Sequence, residues 1–388
     1  MTARRGGGTS ASCNPTAPTF EYGYMGARAP TPFQRLGPAG TSINYRWSRG
    51  LISTSTFGRT GRAVIRRQVI LSVLGATACA PWMATAASES FDDPAEVYAA
   101  LRRRPDATLS IGGGKIDVVF ADGAPGVDRT RVIAWIQNSA VAVATYFGRF
   151  PTRHLGLLVI GEDGARVGHG TTYGFDGAAI RIHVGRSAGD DAFGRDWVLV
   201  HEMVHLALPV VPRESLWLQE GNATYVEPIA RAQAGQLDAA SVWQWSVLGM
   251  PKGEPGPDDA GLDHTPTWGR TYWGGATFWL LADVAIYRHT AGRHSLQEAL
   301  RTINRASGGN TARWTSDEIM AAGDSATGTD VLRSLYAQQK DTPVHTDLGG
   351  TFQSLGVAEV DGHIVFDDNA PLASFRRRLT RRSTWRAA

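Results

Sequence analysis

Cysteine is scarce in this chain: its 388 residues include only two, Cys13 and Cys79. Both precede residue 87, where a pattern described below predicts that the mature chain begins. The mature chain then holds no thiol, which excludes stabilisation by disulfide bonds, and cysteine usage says nothing about its redox compartment. The sequence also has no internal repeat, which excludes a repeat architecture.

Most of the chain has no excess of basic over acidic residues, although the net charge of the whole sequence is +3. Residues 1–86 contain 10 Lys and Arg against one acidic residue, which leaves 29 basic and 35 acidic residues in the segment 87–388. The positive charge therefore belongs to the N-terminal segment. We expect no nucleic-acid partner for the remainder, because proteins that bind nucleic acids usually present a basic surface.

The N-terminal segment has two parts of different composition. Residues 1–62 are rich in Gly, Ser, Thr, Pro and Arg without apolar periodicity, which predicts a disordered leader, or an untranslated one if the true start codon lies downstream. Residues 63–86 have the basic, apolar and A-x-A parts of a signal peptide. We predict export to the periplasm or the exterior, without stable membrane insertion after cleavage. A short membrane anchor and lipid attachment at Cys79 are the alternatives.

Residues 201–205 read HEMVH, which is the most informative pattern in the chain. Two histidines four residues apart point off one face of a helix. Glu202 lies beside that face, where it can act as a general base without ligating a metal. We predict a helix over 197–208 with Asp196 as its N-cap. The alternative is a buried helix whose histidines bond backbone carbonyls, although such polar groups are costly on an apolar helix.

A second segment can complete a metal site. Residues 217–221 read WLQEG, within a helix predicted over 214–226 that Pro228 ends or kinks. Zinc sites of hydrolases often have three protein ligands and an open fourth position. The predicted Zn²⁺ ligands are His201, His205 and Glu220. Glu227, two turns further along, is the alternative ligand or an acceptor for an imidazole N–H.

Together these motifs resemble those of the gluzincin metallopeptidases, in which the glutamate of W-L-x-E-G is the third zinc ligand. Two later stretches, YWGGATFWLLAD at 272–283 and TAGRHSL at 290–296, are similar to a pattern of the glycyl-aminopeptidase-like group (peptidase family M61). The likeness covers roughly residues 195–310. It implies an α+β, thermolysin-like zincin: a small mixed β-sheet over the active-site helix and a mainly helical C-terminal subdomain.

The resemblance also assigns a role to Tyr272, because aminopeptidase-type gluzincins have at this position a tyrosine that hydrogen-bonds the oxyanion. Tyr225 is the alternative donor, although its place on the ligand helix suits packing better. The chain lacks the G-x-M-E-N-like segment that holds a substrate amino terminus in one large aminopeptidase family. Aminopeptidase and endopeptidase action therefore both stay open.

Upstream, we predict a strand at 116–120, a helix at 128–147 stopped by Gly148 and a buried strand at 155–160. The segment 168–184 is glycine-rich at first and then alternates apolar and polar residues. It predicts one half-buried edge strand that pairs with an extended substrate. The other histidines, including His169 and His183, have no ligand spacing and are expected at the surface or in the core.

These patterns divide the mature chain into three parts. We predict an N-terminal α/β subdomain at 87–195, a helical zinc-binding subdomain at 196–340, and a C-terminal hairpin with a basic tail at 341–388. An Asp-Gly pair is expected to form the hairpin turn. The arginines of the tail are expected on a solvated helix end; they are Arg376, Arg377, Arg378, Arg381 and Arg382.

The sequence thus predicts a secreted zinc-dependent metallopeptidase that acts on peptides or proteins, with Glu202 as general base. Two alternatives belong to other classes of function. One is a zinc hydrolase that cleaves a non-peptide bond, and the other is a catalytically silent binding protein on the same scaffold.

Overall fold

A computed structural model describes residues 91–385. The predicted leader at 1–62 and signal peptide at 63–86, including Cys79, therefore lie outside the described residues. The strands are β1 Ala107–Ile111, β2 Gly114–Phe120, β3 His154–Glu162, β4 Val167–Tyr173, β5 Ala179–Gly185, β6 Val357–Val360 and β7 His363–Phe366. The helices are α1 Pro94–Leu101, α2 Arg129–Phe147, α3 Asp190–Arg195, α4 Val198–His205, α5 Leu216–Gln233, α6 Ala239–Gly249, α7 Gly275–His289, α8 Leu296–Ser307, α9 Ser316–Thr327, α10 Val331–Gln339, α11 Leu348–Leu355 and α12 Ala373–Leu379.

The first five strands form one mixed sheet in the order β1-β2-β3-β5-β4. Strands β2, β3 and β5 are parallel, and β1 and β4 are antiparallel edges. The prediction of a single strand over 168–184 is wrong, because a turn at Gly177 (φ +92°) splits the segment into β4 and β5. The alternating residues lie in the interior strand β5, and the glycine-rich lead-in is the edge strand β4. Strand β1 and helix α1 were not expected from the sequence.

Each face of this sheet packs against helices. Apolar side chains such as Ile116, Leu157 and Ile182 belong to the large core that the sheet shares with α2, α4 and α5. On the opposite face Val119 and Leu158 form a smaller cluster with residues of α1. Helix α2 confirms its prediction: the Asp128 side chain accepts a hydrogen bond from the Arg131 N–H, and Gly148 ends the helix at φ +76°. The sheet thus lies over α4 on one face and is closed by α1 on the other.

The second half of the described chain is mainly helical, as predicted, and the change in secondary structure comes after Gly185, where β5 ends. The expectation that α5 ends near Val226 is wrong, because it continues past Pro228 to Gln233. A proline inside a helix removes one hydrogen bond and costs about 3 kcal/mol. Helices α2, α4 and α7 all pack against α5, and the burial that results outweighs this cost.

The C-terminal part contains the predicted hairpin, in which Asp361 (φ +51°) and Gly362 (φ +81°) form the turn between β6 and β7. The prediction of a solvated basic helix is wrong for Arg376, which is buried in α12 and donates to the backbone carbonyls of Leu355, Gly356 and Asp367. Its guanidinium satisfies acceptors that the loop around the hairpin leaves open. Among residues 91–385, no helix combines the length and the apolar character needed to cross a membrane.

Candidate active site

Helix α4 carries the HEMVH motif, and a buried carboxylate holds its first turn. Asp196 accepts hydrogen bonds from the backbone N–H groups of Val198 (3.0 Å) and Leu199 (3.2 Å), and from the Trp135 indole (3.1 Å). Burial raises the pKa of Asp196 to about 6 against these hydrogen bonds. The prediction of Asp196 as the N-cap residue is wrong by one position, because Trp197 is the N-cap and the helix runs from Val198 to His205 rather than to Leu208; the Asp196 carboxylate still accepts from the first turn. This anchoring fixes where the motif sits under the sheet.

The three predicted ligands converge on one point. Glu220 Oε2 lies 3.2 Å from His201 Nε2 and 3.4 Å from His205 Nε2. Burial lowers the pKa of His205, but the Glu220 carboxylate outweighs that effect and raises it. For Glu220 the two effects have the opposite signs. Burial alone would raise its pKa, but the imidazoles of His205 and His201 hold it well below its usual range. The group is therefore a buried carboxylate with two imidazoles directed at the same oxygen.

Two glycines let the helices that carry the site approach each other closely. A Cβ on Gly221, the residue after Glu220, would collide with the backbone of Gly275 at the start of α7. A Cβ on Gly275 would in turn collide with the backbone carbonyl of Trp217. This glycine contact lets the segment before α7 pack against the ligand helix α5. Tyr272 belongs to that segment and is thereby brought close to the ligands.

Tyr272 lies in a π-helical turn, Gly269–Gly274, that leads into α7. Such turns are rare and often occur at functional sites. Its ring stacks on His201 with centroids 6.1 Å apart. Burial, with the neighbouring carboxylates of Glu220 and Glu202, raises the pKa of its hydroxyl well above the usual value. The hydroxyl therefore keeps its proton at neutral pH and can donate it in a hydrogen bond.

Glu202 is held by the edge strand of the sheet. Thr172 Oγ1 donates to Glu202 Oε2 at 2.6 Å and lies 2.9 Å from the Glu202 backbone carbonyl. A Cβ on Gly170 would come within 2.6 Å of Glu202 Cγ, so only glycine leaves room for this side chain. Sequence reasoning missed both β4 residues as parts of the site, although it took the glycine-rich lead-in as a sign of close backbone approach.

The two alternative residues have other partners. Glu227 forms an ion pair with Arg231 at 3.0 Å, and burial raises its pKa despite that pairing. It lies outside the group formed by the three ligand atoms, although its charge interacts with His201. The hydroxyl of Tyr225 donates to Asp283 Oδ2 at 3.0 Å inside the core. This hydrogen bond gives Tyr225 a packing role on the ligand helix.

Aromatic side chains border the site on its solvent side. Trp197 packs edge-on against His201 and is 38% exposed, and Trp268 stacks near Tyr272 and is 55% exposed. The ring centroid of Trp245 lies 6.0 Å from that of Trp197, and the Trp245 ring also packs against the buried Trp273. Exposed tryptophans next to a polar centre offer an apolar surface to a ligand.

A second group of possible metal ligands also appears among the described residues. Glu162, His169 and His183 bring one ligand atom each to within 4.8 Å of the others, as the first group does. His169 is exposed, in agreement with a surface position, but its closeness to His183 and Glu162 was not expected from the sequence. Linear spacing does not reveal this group, because its members lie on three strands that meet only in the folded sheet.

Comparison with known proteins gives partial similarities of fold. No protein-family profile and no curated protein matches the chain. Among solved structures it is similar to an aminopeptidase N family protein from Idiomarina loihiensis, with 15% identity and a TM-score of 0.49 over 65% of this chain and 49% of that one. It is also similar to an M1 zinc metallopeptidase from Deinococcus radiodurans, with 14% identity and a TM-score of 0.40 over 63% and 52% of the two chains.

A third similar structure is Legionella pneumophila aminopeptidase A in complex with aspartic acid, with 15% identity and a TM-score of 0.42 over 62% of this chain and 28% of that one. The chain spans about half the length of the first two structures. Because identities and scores are this low, we base the function on the geometry of the site itself.

Proposed function

We propose that this chain is a zinc-dependent metallopeptidase of the gluzincin type, with the thermolysin-like zincin arrangement that its motifs imply. The observation that carries the proposal is the convergence of His201, His205 and Glu220. Ligands bound to one zinc ion at about 2.0–2.1 Å in tetrahedral geometry lie about 3.3 Å from one another. The imidazole–carboxylate separations of 3.2 and 3.4 Å match that value, so the residues present fit the ion.

Bound by these three residues, Zn²⁺ supplies a Lewis acid that polarises a carbonyl and makes water acidic near neutral pH. Glu202 is the neighbouring group without a place among the ligands. Its Oε2 takes the proton of the attacking water and passes it to the amine that leaves. Thr172 donates to the same oxygen, which holds the carboxylate in the orientation that this transfer needs.

Tyr272 stabilises the negative charge that develops on the carbonyl oxygen as water attacks. Its hydroxyl carries a proton at neutral pH, as a phenol ordinarily does, and burial with the two nearby carboxylates raises its pKa further. A donor aimed at developing charge in a buried site lowers the barrier more than it would in water. Its stacking on His201 keeps it beside the ligands.

The edge strand β4 supports a peptide as substrate. It is the last strand of its sheet, and two of its residues contact Glu202 directly. An extended peptide that adds to this edge passes beside the general base. The exposed rings of Trp197 and Trp268 favour substrates with an apolar or aromatic side chain next to the scissile bond. The signal-peptide pattern at 63–86 supports an exported enzyme.

Digestion of a mixed peptide library tests this function. The full-length chain with Zn²⁺ is compared by mass spectrometry with Glu202→Ala, and both samples are checked for bound zinc. We expect cleavage by the wild type only, and the ends of the fragments separate aminopeptidase from endopeptidase action. Absence of cleavage by a zinc-loaded wild type would contradict a peptidase and favour a non-peptide hydrolase or a binding protein.

A further inference from the structure

A β-bulge in the edge strand places two histidines on one face of the sheet. Val167 pairs with Val184, but Gly170 pairs with Ile182, so β4 has one residue more than β5 between these pairs. Gly168 and His169 together therefore lie opposite the single residue His183. A bulge of this kind re-aims the side chain that follows it. His169 is brought over His183, and their rings stack with centroids 4.0 Å apart and planes 22° apart.

A carboxylate from a third strand joins the two histidines. Glu162 is the last residue of β3, and His183 Nδ1 lies 3.1 Å from Glu162 Oε2. This separation is close to the 3.2 and 3.4 Å between imidazole and carboxylate in the active site. A Cβ on Gly168 would come within 2.5 Å of Glu162 Oε1 and 2.7 Å of His183 Cβ. The bulge glycine thus leaves the space that the donors need.

An ordinary ion pair does not explain this group. His183 Nδ1 faces Glu162, but the other ring nitrogen, Nε2, is buried and has no hydrogen-bond partner among the described residues. The imidazole of His169, stacked on His183, brings another lone-pair donor rather than a partner for the carboxylate, and one ligand atom of each of the three side chains lies within 4.8 Å of the others. Two imidazoles and one carboxylate form the donor set of a divalent transition metal such as Zn²⁺.

We propose that Glu162, His169 and His183 bind a second Zn²⁺ ion, on the face of the sheet opposite the active site. The ion ties the ends of β3, β4 and β5 together at the bulge. It stabilises the edge strand whose residues Gly170 and Thr172 contact Glu202 on the other face. His169 is exposed, so the ion lies at the surface, where water or an external ligand can complete its coordination.

Zinc stoichiometry tests the site. The full-length chain is dialysed against buffered Zn²⁺ and bound metal is measured by mass spectrometry. We expect two ions per wild-type chain and one in His169→Ala, whose side chain is exposed and whose loss should spare the fold. His363→Ala, which removes an exposed strand histidine of β7 far from both groups in the chain, should still bind two. Circular dichroism verifies that each variant is folded.

Affinity and stability give a second readout. Loss of a residue that merely supports a ligand costs about 10–100-fold in affinity, so Glu162→Gln should weaken the second ion at least about 100-fold. In Glu220→Ala, Zn²⁺ should raise the melting temperature by a few degrees, and adding His169→Ala should abolish that rise. One ion per wild-type chain, or a second ion whose affinity is the same in His169→Ala and Glu162→Gln, would overturn the proposal.

Discussion

The two faces of the five-stranded sheet present the same donor set, two histidines and a glutamate, in different surroundings. The group of His201, His205 and Glu220 is held by two helices and is nearly closed to solvent, and a carboxylate and a phenol lie beside it. The group on strands β3, β4 and β5 is closer to the surface, and the charges that act on its His183 include those of Arg181 and Asp92. The proposed catalytic role of the first group therefore rests on the base and the phenol beside its ligands, and not on the ligand set alone.

The largest effect is expected when Glu220 is removed, because this predicted ligand on α5 meets the two histidines of α4. Glu220→Ala removes the only carboxylate among the three predicted ligands, so affinity for zinc at the active site should fall at least about 100-fold and peptidase activity should fall to that of the metal-free protein. Zinc titration with a fluorogenic peptide measures both quantities. Glu214→Ala, which changes an exposed glutamate on the same segment, is the matched control. Equal zinc affinity in the two variants would show that Glu220 is not a ligand.

The next largest effect is expected at Glu202, the proposed base that lies beside the first ligand group. Glu202→Gln keeps the size of the side chain but removes the base, so kcat should fall by about 10²–10⁴-fold, while active-site zinc stays bound. Kinetics combined with metal analysis separates the two effects. A variant that lost its zinc as well would make Glu202 part of the metal site rather than the base beside it.

A smaller loss is expected from the phenol. Tyr272→Phe keeps the ring that stacks on His201 and removes only the hydroxyl, so kcat should fall by about 10²–10³-fold with KM nearly unchanged. Tyr287→Phe in α7, which removes a hydroxyl that hydrogen-bonds to Ser374 of α12, controls for the loss of a phenol elsewhere. A Tyr272→Phe variant as active as this control would exclude Tyr272 as the oxyanion donor.

The smallest effect concerns the support of the base by the edge strand. Thr172→Val removes the hydrogen bond to Glu202 while keeping the shape of the side chain, so kcat should fall by about 10-fold as the carboxylate loses its orientation. Thr171→Val changes the neighbouring strand residue, whose hydroxyl bonds the Gly170 carbonyl instead. Steady-state kinetics of the two variants should differ, and equal rates would remove the positioning role of Thr172.

Local patterns allowed the helix pair at the site to be predicted, because its signals lie close together in the sequence. The four-residue spacing of His201 and His205, and a carboxylate at Asp196 that accepts from the first turn of the helix, depend only on helix geometry. The course of α5 past Pro228 was not predictable, because burial against three other helices outweighs a local penalty. For the same reason Arg376 lies inside the C-terminal part rather than on a solvated helix end.

Contacts between distant segments account for the rest. The turn at Gly177 divides β4 from β5 and makes β4 the edge, and only then do Gly170 and Thr172 reach Glu202. The bulge that places His169 over His183 depends on the pairing register of two strands. The spacing of histidines along the chain does not predict that register.

By itself, the sequence determined which residues are proposed for the active site and the helix that presents two of them, because a repeat of 3.6 residues per turn converts spacing into a shared face. The tertiary structure decided which carboxylate joins them, what holds the proposed general base, and that a second group of two histidines and a glutamate forms on the other side of the sheet. Those features depend on which strands and helices become neighbours, and that is settled by burial of the whole core rather than by any local pattern.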